Sequence, residues 1–175
     1  LYHHAYQLDK DASDEPYLAV ENLAEKYGIP VEAAVEMMGN VSAIAESEGL
    51  HYQLDKTYGA NTKLAHRLLM MAAERGVHHD LLFKLFNAYF EKAEKIFSVE
   101  DLKPFAESVG ITDEELQDLA NSDLYMDVMQ SDKELAEQLN VRGVPFFVFN
   151  QRVAVAGAET TDLFVQAMQR AMHEG

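Results

Sequence analysis

Residues 142–150, RGVPFFVFN, decide how this chain is read. Pro145 opens a run of β-formers, Phe146, Phe147, Val148 and Phe149, yet proline cannot donate to a β-ladder and is confined to strand starts, edges and bulges. A trans Val144–Pro145 bond would simply begin the strand. A cis bond would turn Val144 so that its backbone N–H and C=O project from the sheet edge. The residues alone leave both open. A wholly apolar strand of this kind is expected in the interior, with both faces covered. Residues 152–157, RVAVAG, read as a second strand joined by Asn150-Gln151 in a tight hairpin. Thr160 or Thr161 then caps a helix bearing Leu163, Phe164, Ala167, Met168 and Ala171.

Upstream the pattern changes. Residues 1–8, LYHHAYQL, alternate as a strand with Tyr2, His4, Tyr6 and Leu8 on one face. A chain that opens on leucine inside a strand is expected to have its natural N-terminus further upstream. A polar turn with Pro16 leads into a helix to about Tyr27, with Tyr17, Val20, Leu23, Ala24 and Tyr27 inward and Gly28 as its stop. A second helix, 31–47, carries Val31, Ala34, Val35, Met38, Val41, Ile44 and Ala45 at helical spacing, and an irregular connector follows.

From 61 to 140 the reading is almost wholly helical. Asn61 serves as a cap, and Leu64, Ala65, Leu68, Leu69, Met71 and Ala72 point inward. Leu82, Leu85, Phe86, Tyr89, Phe90 and Ala93 make one thick stripe over residues 80–97. Ser98 caps a helix that Pro104 bends or delays. Thr112 and Glu115 form a capping box, and an acidic helix spans 123–139. Strand, long helical block, strand, strand, helix is an α/β order with most of the helix in one insertion.

Composition excludes several roles. Lys+Arg 14 against Asp+Glu 30 gives a net charge of −16 over 175 residues, which repels phosphate backbones and anionic lipid and argues against nucleic-acid or membrane partners. No apolar stretch approaches the roughly 18 residues of a membrane helix. The first residues lack the basic and apolar regions of a signal peptide, so the cytoplasm is the expected location. Cysteine is absent, which rules out a disulfide, a thiolate metal site or a cysteine nucleophile within these residues. His3-His4 and His78-His79 are adjacent pairs whose members point in different directions, so no metal is expected. No nucleophile elbow, phosphate loop or dinucleotide fingerprint occurs. By residue type alone, Asn61 is a helix cap and His66 a satisfied, partly buried histidine.

GVPFFVFN (143–150), VAVAGA (153–158) and the closing helix together resemble the C-terminal ββα of the thioredoxin superfamily, in which a cis proline lies against a redox-active dithiol. YHHAYQLD as a strand, the helical insertion and N-T-x-x-A-H-R-L-L (Asn61, Thr62, Ala65, His66, Arg67, Leu68, Leu69) are similar to the DsbA-like branch. Within it they resemble the FrnE-like dithiol-disulfide oxidoreductases, relatives of the 2-hydroxychromene-2-carboxylate isomerases and kappa-class glutathione transferases. The resemblance implies an α/β, thioredoxin-like fold with a large all-helical insertion: a core of residues 1–15 and 141–175, and an insertion of 16–140.

It also implies a strand and a C-x-x-C motif before Leu1, the motif opening a helix whose N-terminus lowers the attacking thiol's pKa. That strand would lie between 1–8 and 146–149. Without it, unpaired buried backbone groups would cost roughly 1–3 kcal/mol each, so the segment is expected in the intact molecule. Gly143, Val144 and Pro145 become the cis-proline substrate loop, pairing with a bound peptide or mixed disulfide as an added strand. Asn61 and His66 become residues of the substrate groove, with His66 tuning the dithiol.

The expected activity is that of a thiol-disulfide oxidoreductase or isomerase on disulfide-containing proteins or peptides, with residues 1–175 inactive by themselves. Two alternatives stand beside it. One is a glutathione-dependent isomerase or transferase with a lone serine or cysteine upstream, glutathione being substrate or reductant. The other is a non-redox peptide-binding or chaperone module. No bound cofactor is expected, and the apolar helical surface suggests a homodimer.

Overall fold

The computed structural model describes residues 2–173; Leu1, which the expected N-terminal strand includes, lies outside them. The chain divides into two compact units, Asp9–Asp127 and Leu1–Leu8 with Val128–Gly175.

Asp9–Asp127 opens with β1 (Tyr17–Leu18), α1 (Ala19–Tyr27) and α2 (Val31–Ser47). Pro16 therefore precedes a strand rather than a helix: β1 pairs antiparallel with β2 (Tyr58–Gly59), inside what reads as an irregular connector. Gly28 closes α1 at φ 63, a left-handed conformation that glycine adopts without penalty. α2 keeps its expected limits, but only Ala34 and Ala45 are buried; Val31, Val35, Val41 and Ile44 are exposed. The apolar arc of α2 is wider than the small cluster of Val20, Ala24 and Ala34 against which it packs.

α3 (Lys63–Glu74), α4 (His78–Phe86), α5 (Val99–Glu107) and α6 (Asp113–Ala120) enclose the main core, where Leu68, Leu81, Leu102, Ile111, Leu116 and Leu119 are fully buried. The stripe of α4 falls on Leu81, Leu85 and Ala88, one register step from the expected set, and Phe86 is exposed. A π-helical turn, Asn87–Glu91, ends the segment instead of a helix running to Phe97. Gln53 supplies the compensating bonds, its amide N–H donating to Phe90 O at 2.7 Å and its side chain to Glu91 O. α5 runs through Pro104 to Glu107. Ser98 with Asp101, and Thr112 with Glu115, form reciprocal capping boxes.

The other unit contains most of α7 (Met126–Gln138), then β3 (Phe146–Phe149), β4 (Val153–Ala156) and α8 (Thr161–His173). β3 and β4 form an antiparallel pair in register Phe147↔Val155 and Phe149↔Val153. Asn150 and Gln151 both take positive φ, 52 and 58, and Arg152 N–H donates to Phe149 O at 3.0 Å. This is the primed turn whose twist matches a hairpin. Thr160 Oγ1 accepts from Leu163 N–H, capping α8. Phe164 packs edge-on against Phe147 and Phe149, so α8 covers the hairpin face that also carries buried Val155.

The opposite face is not covered as expected, since Val148, Ala154 and Ala156 are exposed. Residues 2–8 form no strand either. A strand requires a ladder partner, and here Ala5 N–H donates to Asp132 Oδ2 at 2.8 Å while His4 Nδ1–H donates to Asp132 Oδ1 at 2.5 Å. Those bonds also explain why the units fall differently from the division at residues 15 and 140: Asp132 ties α7 to the N-terminal segment rather than to the insertion.

Candidate functional site

The loop that carries Gly143, Val144 and Pro145 is fixed at both ends. At its start, Asn140 closes α7 at φ 53, its N–H donating to Glu137 O and that of Val141 to Ala136 O. This left-handed cap is one of the few that asparagine takes readily. Tyr6 Oη–H donates to Val141 O at 3.5 Å. At its end, the Val144–Pro145 peptide is cis, and Pro145 O accepts from Gly157 N–H at 2.8 Å. Gly157 has φ 94, so its lack of a side chain is what lets β4 end there.

That bond sets the phase of the ladder. Pro145 pairs with Gly157, so hydrogen-bonded pairs recur at Phe147↔Val155 and Phe149↔Val153, and the backbone N–H and C=O of Phe146 and Val148 point away from β4. Among the described residues β3 has no second neighbour. Its outer edge, continuous with the loop, is a template for an added strand.

A cavity of about 440 Å³ lies on this loop, lined by residues 140, 142–146, 156 and 157. Val144 is 51% exposed. A Cβ built on Gly143 would meet nothing within 4 Å, so the surface above it is open to an approaching chain. Arg142 is the one charged side chain in the lining.

The second pair of sequence candidates lies in the other unit. Asn61 Oδ1 accepts from Lys63 N–H at 3.0 Å, and Asn61 N–H donates to Ser13 O at 2.8 Å. It thus orders the entrance to α3 as a cap does, and it lines a cavity of about 220 Å³ beside Asp14, Lys63 and Arg67. His66 is half-buried in the first turns of α3 and is not part of that lining. The two units are therefore each the seat of one candidate set: Gly143, Val144 and Pro145 in one, Asn61 and His66 in the other.

Two further residues escaped the sequence reading. Arg67 is 5% exposed; its Nε–H donates to Leu124 O (2.6 Å) and its Nη2 to Leu119 O (2.6 Å) and Ser122 O (2.7 Å). Its cation sits on the C-terminal carbonyls of α6, where the helix dipole is negative. Burial pulls its pKa below the ordinary arginine value. An arginine between Ala65 and Leu68 on the inward side of an apolar helix was the available signal. Asp132, 6% exposed, holds His4 as described; a partner 128 residues away leaves no mark in sequence spacing. His78 and His79 meet edge to face, and among the described residues no three His, Asp or Glu side chains converge as a metal site would require.

These features define a β-hairpin and helix with an apolar-walled loop at one strand edge, joined in sequence to a helical insertion. Residues 2–169 match the model of the DSBA-like thioredoxin domain, and the chain belongs to that family. It superposes on a probable DsbA oxidoreductase from Streptomyces coelicolor with a TM-score of 0.90 at 32% identity, covering 99% of this chain and 75% of that one. The Bacillus subtilis protein YwbO, uncharacterized, is 28% identical over 108 residues, which are 61% of this chain and 54% of YwbO. The aligned part thus spans about half of that curated relative. The fold is thioredoxin-like with a helical insertion. No helix among the described residues is long and apolar enough to cross a membrane.

Proposed function

We propose that this chain is the substrate-binding portion of a FrnE-like thiol-disulfide oxidoreductase, acting on protein or peptide disulfides in the cytoplasm through a C-x-x-C motif encoded before Leu1. The observation that carries the reading is the likeness, along 99% of the chain, to a probable DsbA oxidoreductase. The 175 residues hold no cysteine, so on this reading the redox step belongs to residues outside them.

In this mechanism the first cysteine of the motif, as thiolate, attacks one sulfur of a substrate disulfide. A new S–S bond forms, the substrate S–S bond breaks, and the departing sulfur takes up a proton. The substrate lies along Val144, exchanging backbone hydrogen bonds with that residue as an added strand, while the outer edge of β3 is left to the upstream strand. The second cysteine then attacks the mixed disulfide, leaving the substrate as a dithiol and the enzyme oxidised. Gly143 and Gly157 keep the approach clear of side chains.

Insulin-disulfide reduction with a dithiol reductant tests this. The full gene product should reduce insulin, and residues 1–175 alone should not. Failure of the full product, together with a lone serine or cysteine at the start of the upstream helix, would turn the reading to a glutathione-dependent isomerase. Neither residue there would turn it to a non-redox peptide-binding module.

A further inference from the structure

We propose that Arg142 is a carboxylate-recognition residue of the Val144–Pro145 site, selecting disulfides that carry a carboxylate beside the reacting sulfur. This rests on the reading of that loop as the substrate site and adds the chemistry of the substrate to it.

The placement of Arg142 is the first observation. It stands two residues before Val144 and is, among the described residues, the only charged side chain lining the 440 Å³ cavity, whose remaining walls are the two glycines, Asn140 and the apolar Val144, Pro145, Phe146 and Ala156. Its bonding is the second. Among the described residues its side chain makes one hydrogen bond, from Nε–H to Asn140 Oδ1 at 3.4 Å, and forms no ion pair with a carboxylate. Asn140 is held by the left-handed turn at the end of α7, so the side chain that steadies the guanidinium stem is fixed by the backbone. Both terminal nitrogens remain available, in the planar fork that matches a carboxylate with two parallel bonds.

Charge makes the case selective. Acidic groups outnumber basic ones 30 to 14 along the chain, yet among the described residues none is ion-paired with this arginine, whereas Arg75 and Lys103 on helical surfaces are each paired with a carboxylate. A ligand anion finds here a cation with unused donors, two residues from the Val144 backbone that pairs with the ligand's own. The open surface over Gly143 leaves room for the flanking residue that would bear the anion. Two sources supply this chemistry: the carboxylates of glutathione, and an Asp or Glu adjacent to cysteine in a protein substrate.

The test uses the full gene product labelled with nitrogen-15, with the Gly143 and Gly157 amide signals as the readout. The probes are S-methylglutathione, its dimethyl ester, and two short S-methylcysteine peptides in which aspartate or lysine follows the cysteine. The carboxylate-bearing probes should bind roughly three- to tenfold more tightly than their ester or lysine counterparts. That margin should shrink as salt is added and vanish in Arg142→Gln, with Arg142→Lys recovering part of it. A margin seen with glutathione only identifies glutathione as the source; one seen with the peptides only identifies a protein carboxylate. Binding at Gly143 and Gly157 with no margin, or a margin that survives Arg142→Gln, overturns the role of Arg142 while leaving the site in place. No response at either glycine to any probe overturns both the role and the site.

Discussion

Asp9–Asp127 and the β-hairpin unit solve the same problem, burying apolar surface, to different degrees. The first holds 24 of the 30 acidic and 10 of the 14 basic residues, a net −14, around six fully buried aliphatic side chains. Its helix ends are satisfied by capping boxes and by Arg67. The second, with 6 acidic and 4 basic residues, a net −2, covers one face of a two-stranded sheet and leaves the other face and one strand edge uncovered. Satisfied backbone and closed packing make a scaffold; an unpaired strand edge beside an apolar wall is open to a further strand. The exposed edge belongs to the unit that carries Val144 and Pro145.

Mutations should separate the two regions. Leu116→Ala and Leu68→Ala, each at a fully buried position, should lower stability by about 3–4 kcal/mol in urea denaturation. Val148→Thr on the exposed face should cost under about 1 kcal/mol. Equal costs would mean that the hairpin face is as well packed as the helical core.

Arg67→Met should cost about 3 kcal/mol, because three backbone carbonyls lose charge-assisted donors at once. Asp132→Asn comes next, at about 1–2 kcal/mol: the amide cannot accept from both Ala5 N–H and His4. Hydrogen exchange of the Ala5 amide should accelerate in this variant, with the amides of α3 to α6 unchanged.

The smallest effect is electrostatic and confined to the helical unit. Arg75, with further bonds from Thr112, holds the Glu115 carboxyl at about 2, below its ordinary 4.5. A depressed carboxylate pKa stabilises the fold above the unfolded value and is lost as pH falls through the folded one. The contribution should therefore be present at neutral pH and fade between about 4.5 and 2. Glu115→Gln should flatten the acid limb of the stability curve over that window, and added salt should weaken the wild-type dependence.

Much of the fold was legible because local signals agreed with it. Thr112 with Glu115, Ser98, Gly28 and Thr160 mark their helix ends in sequence and in structure. The inward set of α3, Ala65, Leu68, Met71 and Ala72, follows from period alone. Other features depend on partners that spacing does not reveal. Tyr2, His4 and Tyr6 alternate as a strand would, but Asp132 takes the bonds a ladder would need. Val41 and Ile44 have the helical period of a core face without a neighbour to cover them. The stripe of α4 slipped by one position because its aromatic residues are large enough to sit on the rim, while Leu81 and Ala88 fill the interior. The loop at Gly143, Val144 and Pro145 was legible as a proline out of place at the head of a strand. Arg67 and Asp132 were not, since their bonds reach across 52 to 57 and 127 to 128 residues.

Hydrogen exchange on a trapped mixed disulfide between the full gene product and a cysteine peptide tests the substrate site directly. A substrate paired with the loop should slow exchange at the Val144 amide and leave Phe147 and Phe149, already paired with β4, and Phe146 and Val148, which face the upstream strand, unchanged. Protection that arises elsewhere, with the Val144 amide exchanging as in the free protein, would contradict the assignment of the Val144–Pro145 loop as the place where substrate binds.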